Sequence, residues 1–200
     1  MDLGISAKVA PLLEEVRRFV SEEVVPLEHE YLQEVAAGDR WQFTARQTEI
    51  MESLKAGARE KGLWNFFLTD GENGSGLTTV EYAYLAEEMG KSHIAAEVFN
   101  CSAPDTGNME VLHKYGSEEQ KARWLQPLLN GEIRSAYAMT EPGVASSDAT
   151  NICTEAVLDG DECVINGSKI FITNAATDIT TGVTVLARTG TREDGRPELS

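Results

Sequence analysis

The stretch Ala136–Asn151, AYAMTEPGVASSDATN, gathers hydroxyls and turn-formers in one place. Thr140, Ser146 and Ser147 supply side-chain oxygens, and Pro142-Gly143 supplies a turn that leaves backbone N–H groups free to point at a ligand. Such donors suit an uncharged polar ring or a diphosphate. The stretch holds no Lys, Arg, His or Cys, and nucleophilic or acid–base catalysis would want a His or Cys nearby. It reads as a binding loop rather than a reacting one. A plainer reading stands beside it: a polar interdomain linker with a helix cap at Ser147 or Asp148.

Thiol and metal chemistry find little support elsewhere. Cys101, Cys153 and Cys163 are odd in number and far apart, so they make neither a disulfide framework nor a metal site. They are expected to be small buried or half-buried hydrophobes. His29, His93 and His113 show no HExxH or other ligand spacing.

The elements that must position the binding loop change character around it. Before about residue 130 the hydrophobic period is helical, with Leu12, Leu13, Val16, Phe19, Val20 and Val24 at three- and four-residue steps. Pro26 is expected to kink or end that helix. Thr44 with Gln47, Thr78 with Glu81 and Ser117 with Gln120 have the spacing of capping boxes. Gly62, Gly90, Gly116 and Gly131 stand where helices should stop. Five or six helices follow, with an ordinary surface loop at Thr69–Gly76. After about residue 134 the pattern alternates, and Asp159-Gly160 and Asn166-Gly167 signal turns. The expected fold is α+β: an all-α helical bundle over residues 1–133, then an antiparallel β-domain over 134–200. The closing TGTREDGRPELS is a polar loop, so the chain is read as a piece whose sheet keeps one bare face.

Composition narrows the partners. With 33 acidic against 17 basic residues the formal net charge is −16, which repels phosphate backbones and anionic lipid surfaces. Neither nucleic-acid nor membrane binding is expected. There is no apolar run long enough for a transmembrane helix, and the early acidic residue argues against a leader peptide. The chain reads as cytoplasmic.

YAMTEPGVASSDATN, followed by VINGSKIFITNA, resembles two long motifs of the acyl-CoA dehydrogenase family, in which a Y-x-x-T-E-P loop opens the middle β-domain and an I-N-G-x-K-x-[WF]-I-T-N hairpin follows. NCSAPDTGNMEVLHKYGSEEQKARWLQPLLNGEIRSAYAMTEP resembles the subgroup whose animal members are fused to a phosphotransferase-like domain. The resemblance implies a helical domain, a β-domain and a C-terminal bundle that this chain does not match. It also implies FAD as cofactor and an acyl-CoA substrate, with an electron-transfer flavoprotein as acceptor and a homodimer or homotetramer as assembly. Tyr137, Ala138, Met139 and Thr140 would line the flavin. Ser146 and Ser147 would sit near the diphosphate, with Ser147 also towards the substrate. Phe171, Ile172 and Thr173 would pack on the ring, with Thr173 near N5. The GVASSD loop is one residue longer than the common form, so either serine could be the equivalent one, and Phe171 stands where many members have Trp. The family's catalytic base is a glutamate of the C-terminal bundle, so no catalytic residue is expected among these 200. Glu141 is expected to be structural, satisfying loop N–H groups. An oxygen-reducing, oxidase-like enzyme and a non-catalytic flavin- or acyl-CoA-binding partner subunit are the alternative functions.

Overall fold

The computed structural model describes residues 3–39 and 41–200, with the backbone alone at residue 146. The chain divides into two compact units, Met1–Glu132 and Ile133–Ser200.

In the first unit, α1 (Val9–Phe19) and α2 (Val25–Ala37) are joined without a break by a π-helical turn, Val20–Val24. The apolar period of the sequence becomes the buried face here: Val9, Leu13, Val16, Phe19, Val20 and Val24 are all at most 5% exposed. Pro26 neither ends nor interrupts this rod. Its ring would clash with the carbonyl four residues back in a regular helix. The turn just upstream is wider, with the Val25 N–H reaching back five residues to the Val20 carbonyl, and α2 continues for eleven residues beyond the proline. The same device recurs later: α7 (Glu118–Gln120), the π turn Lys121–Leu125 and α8 (Gln126–Leu129) run on, with Pro127 two residues past the wide turn.

Between these rods lie α3 (Ala45–Glu60), α4 (Thr79–Met89), the single turn α5 (Ala95–Val98) and α6 (Asp105–Tyr115). All three capping boxes form: Thr44, Thr78 and Ser117 each accept from the backbone N–H three residues on, and that residue's side chain returns the bond. Phe19, Phe66 and Phe99 meet at the centre of this unit, with centroids 5.6 Å apart for Phe19–Phe99 and 5.9 Å for Phe66–Phe99. The Thr69–Gly76 loop folds on Asp70, whose carboxylate accepts from the Glu72 and Asn73 N–H groups.

The second unit is built from β1 (Arg134–Ala138), β2 (Glu155–Asp159), β3 (Glu162–Asn166), β4 (Thr180–Val185), β5 (Arg188–Thr191) and β6 (Pro197–Leu199). Helices followed by strands is the expected order, but the pairing is mixed rather than wholly antiparallel. β1 pairs in parallel with β4, and the second sheet runs β3-β2-β5-β6, with β2 and β5 parallel and the other pairs antiparallel. Alternation reports that a segment is a strand, not which strand it joins. Asp159-Gly160 does open a tight hairpin, with Gly160 at φ +63°. Asn166-Gly167 does not, because residues 167–179 contain no strand. Gly167 answers a close approach instead: a Cβ there would meet the Thr154 Oγ1 at 2.3 Å.

The hairpin is barer than one uncovered face. Val157, Leu158, Val164 and Ile165 on its two sides are between 42% and 79% exposed. For the same reason Cys163, in β3, is an exposed thiol rather than a half-buried one, and Cys153 is exposed too, between the buried Ile152 and Thr154. Cys101, in the helical unit, is buried, and that burial pushes its thiol up to about 12, so it stays protonated.

Candidate functional site

The hydroxyl-rich loop leaves the end of β1. Within that strand the burial alternates at its last residues: Ala136 and Ala138 point into the unit, while Tyr137 is 39% exposed. Met139 and Thr140 continue it, both half-buried. Glu141 to Val144 then form a turn, closed by the Val144 N–H on the Glu141 carbonyl, with Pro142 and Gly143 at its tip. Nothing lies within 4 Å of where a Gly143 Cβ would be, so the tip is open. The chain next enters a short 3-10 turn, Ala145–Ser147, where Ser147 takes a left-handed φ of +55°. That conformation brings the Ser147 hydroxyl 2.7 Å from the Thr140 hydroxyl.

A helix cap is also present, as the linker reading expected, at Asp148. Its carboxylate accepts from the Thr150 hydroxyl and N–H and from the Asn151 amide. Those bonds, the Thr150 hydroxyl first, hold it below the usual carboxylate range.

The second motif lies against β1 on another side. The Ile170 N–H donates to the Thr140 carbonyl at 2.9 Å, and the Asn174 amide donates to the Ser135 carbonyl at 3.2 Å. Phe171, Ile172 and Thr173 are held between these two bonds, alongside Tyr137 to Thr140. Phe171 has φ +58° and is 86% exposed. A bulky side chain in the left-handed region is a true outlier, kept only where the surroundings impose it. Thr173 is exposed and Ile172 half-buried.

Beneath the two segments lies a buried ion pair. Glu141 accepts from the Cys153 N–H at 2.8 Å and the Thr154 N–H at 2.9 Å, and from the Lys169 Nζ at 3.0 Å. Burial favours its neutral form, but the neighbouring Thr154 hydroxyl, the two N–H groups and Lys169 outweigh that and hold it at about 2. The Thr154 hydroxyl itself completes no well-aligned hydrogen bond. Lys169 also donates to the Met139 carbonyl at 2.9 Å.

Of the residues singled out from sequence, Tyr137, Met139, Thr140, Ser147, Phe171, Ile172 and Thr173 come together on this part of the unit. The Ala138 side chain is 5% exposed and its carbonyl accepts from the Leu186 N–H, so its methyl belongs to the core. The Ser146 side chain lies outside the described residues. Lys169 was not singled out, although it sits inside the quoted motif two residues before Phe171. Among the described residues no group of three His, Cys, Asp or Glu side chains could hold a metal ion. No described helix is long and apolar enough to cross a membrane.

Residues 8–132 match the family model for the acyl-CoA dehydrogenase N-terminal domain, and residues 136–200 that for the acyl-CoA dehydrogenase middle domain. The chain belongs to the acyl-CoA dehydrogenase family. It is 54% identical over 172 residues to acyl-CoA dehydrogenase family member 10 of Mus musculus, covering 83% of this chain and 16% of that protein. It is 47% identical over 182 residues to family member 11 of Homo sapiens, covering 89% and 22%. Among solved structures, a Mycobacterium abscessus protein assigned to the acyl-CoA dehydrogenases superposes with a TM-score of 0.86 at 47% identity, covering 98% of this chain and 50% of that one. A glutaryl-CoA dehydrogenase from Mycobacterium smegmatis, solved in complex with FADH2, shares the fold at 23% identity, with a TM-score of 0.64 and coverage of 98% and 46%. The chain thus spans less than half the length of the curated family members it matches here.

Proposed function

We propose that this chain forms the helical and flavin-facing part of an FAD-dependent acyl-CoA dehydrogenase, which oxidises an acyl-CoA thioester to a trans-2-enoyl-CoA. The observation that carries the reading is the exposed, left-handed Phe171, presented between the Ile170 main-chain bond and the Asn174 side-chain bond, beside the Thr140–Ser147 hydroxyl pair. When bound, FAD supplies the hydride acceptor, and an electron-transfer flavoprotein is the onward partner.

The residues present fit that cofactor by their chemistry. Phe171 offers a flat apolar face, and the donors around it are neutral. The Thr140 and Ser147 hydroxyls hold two protons between them and spend one on each other. One O–H is left to donate to a ligand acceptor. Thr173 adds another exposed hydroxyl. Neutral donors of this kind favour a ring that gains electron density more than one that does not, which is what a redox site requires. We assign Ser147, linked to Thr140 and close to the open turn, to the substrate side of the same cluster.

The α-proton of the thioester needs a carboxylate base, and Glu141 is not it. Three donors already engage its oxygens, and a group held at about 2 accepts protons poorly at neutral pH. The base is assigned to the family's C-terminal bundle. In the test, the full-length protein is mixed anaerobically with acyl-CoAs of graded chain length while its visible absorbance is followed. Acyl-CoA-dependent bleaching is expected for at least one length. Absence of bleaching with every thioester would overturn the reading, and bleaching accompanied in air by fast peroxide release would move it to the oxidase-like alternative.

A further inference from the structure

The Glu141–Lys169 pair is positioned to do more than fill the interior. Their side chains are 5% and 11% exposed. A buried ion pair is seldom the cheapest way to stabilise a core, since well-packed neutral residues often do as well. This one gathers three separate pieces of chain. Glu141 binds the backbone at Cys153 and Thr154, and Lys169 binds both Glu141 and the Met139 carbonyl. Lys169 is followed at once by Ile170, whose N–H is fixed to the Thr140 carbonyl, and then by Phe171. The ammonium therefore ties the root of one flavin-facing segment, Met139 to Glu141, to the root of the other, Phe171 to Thr173.

We infer that Glu141 and Lys169 are positioning residues that set the spacing of Phe171–Thr173 against Tyr137–Thr140, and through it the affinity and environment of the flavin. The inference rests on the functional reading above. Neither residue touches the exposed ring or the hydroxyl pair through any hydrogen bond of its side chain, so the effect travels through the main chain at Met139 and Ile170. Phe171 makes this clasp necessary. Its left-handed φ is strained, and a segment free to slide along β1 would relax it.

The test is FAD titration of the full-length apoprotein, read by flavin fluorescence and visible spectrum, alongside thermal unfolding. Four proteins are compared: wild type, Lys169→Met, Lys169→Arg, and Glu141→Gln combined with Lys169→Met. Lys169→Met should weaken FAD binding at least tenfold, and Lys169→Arg, which keeps a cation with several donors, should recover most of it. The double variant is decisive because it removes both charges and leaves no unpaired ion, so its fold should survive. It should melt close to wild type yet still bind FAD at least tenfold more weakly, with a shifted flavin spectrum. FAD affinity and spectrum like those of wild type in the folded double variant would overturn the inference and leave the functional reading standing. A wild-type apoprotein that does not take up FAD would overturn both. If Lys169→Met does not fold, the double variant and Lys169→Arg still decide the matter.

Discussion

Glu141 shows how much of a side chain's role is fixed by its immediate donors. Its pKa is lowered from 4.5 to about 2, so the folded state binds its proton later than the unfolded chain does. Its contribution to stability is fully present above about pH 4.5 and is lost as the pH falls towards 2. Other carboxylates are also held low, Glu88 beside Lys91 and Arg17 among them, so the acid limb of wild type is a sum. Comparing wild type with Glu141→Gln isolates one member of it. Between pH 5 and pH 3 the denaturation midpoint should fall less steeply in the variant, and equal slopes would show that Glu141 is not held low. The structural role of Glu141 was implied by the resemblance of its motif to the family's, and the structure shows the N–H groups it satisfies at Cys153 and Thr154. Its partner Lys169 was not legible, since 28 residues separate the two and no local spacing rule joins them. The Phe171 backbone was equally hidden. Its residue type says aromatic surface, whereas its left-handed φ is imposed by the bonds at Ile170 and Asn174.

Elements obey local rules where the deciding contacts are local. The capping boxes at Thr44, Thr78 and Ser117 form because both halves of each bond lie within three residues. Pro26 does not end its helix for the converse reason: the five-residue π turn Val20–Val24 that precedes it leaves no mark in residue type. Strand partners were hidden too, as the parallel β1–β4 pair joins segments more than forty residues apart. Helix stops offer a quantitative check. Gly62 and Gly131 both take a left-handed φ, +70° and +67°. A Cβ at Gly62 would have nothing within 4 Å, whereas one at Gly131 would lie 2.9 Å from Trp64 Cζ2 and 3.0 Å from Arg59 Nη2. Arg59 stacks over Trp64 at 4.3 Å and donates to the Asn130 carbonyl, and the Trp64 N–H donates to the Leu129 carbonyl, so the obstacle is itself pinned. Gly62→Ala should cost about 1 kcal/mol, the conformational penalty alone. Gly131→Ala should cost more, roughly 2–4 kcal/mol once the displaced indole is included. Thermal unfolding of the two variants ranks them, and equal shifts would mean that Trp64 yields freely.

For the molecule as a whole, the net charge of −16 has to be set against polyanionic ligands. Screening over about 8 Å at physiological ionic strength confines that repulsion, so under the proposed function recognition of a diphosphate or a CoA thioester would fall to short-range neutral donors. Thr140, Ser147 and the open Pro142-Gly143 turn are donors of that kind. Two long motifs made the family readable before any fold was known, whereas the bare two-sided hairpin was only half anticipated. Sequence alternation marks a face as apolar without saying whether this chain covers it. The central claim is that the Phe171 surface and the hydroxyl pair hold FAD. The measurement that tests it most directly is release of the cofactor from the purified full-length protein, followed by chromatographic identification and quantitation against protein. One FAD per chain is the predicted result. FMN, or protein that carries no flavin and takes up none on incubation with FAD, would contradict the account.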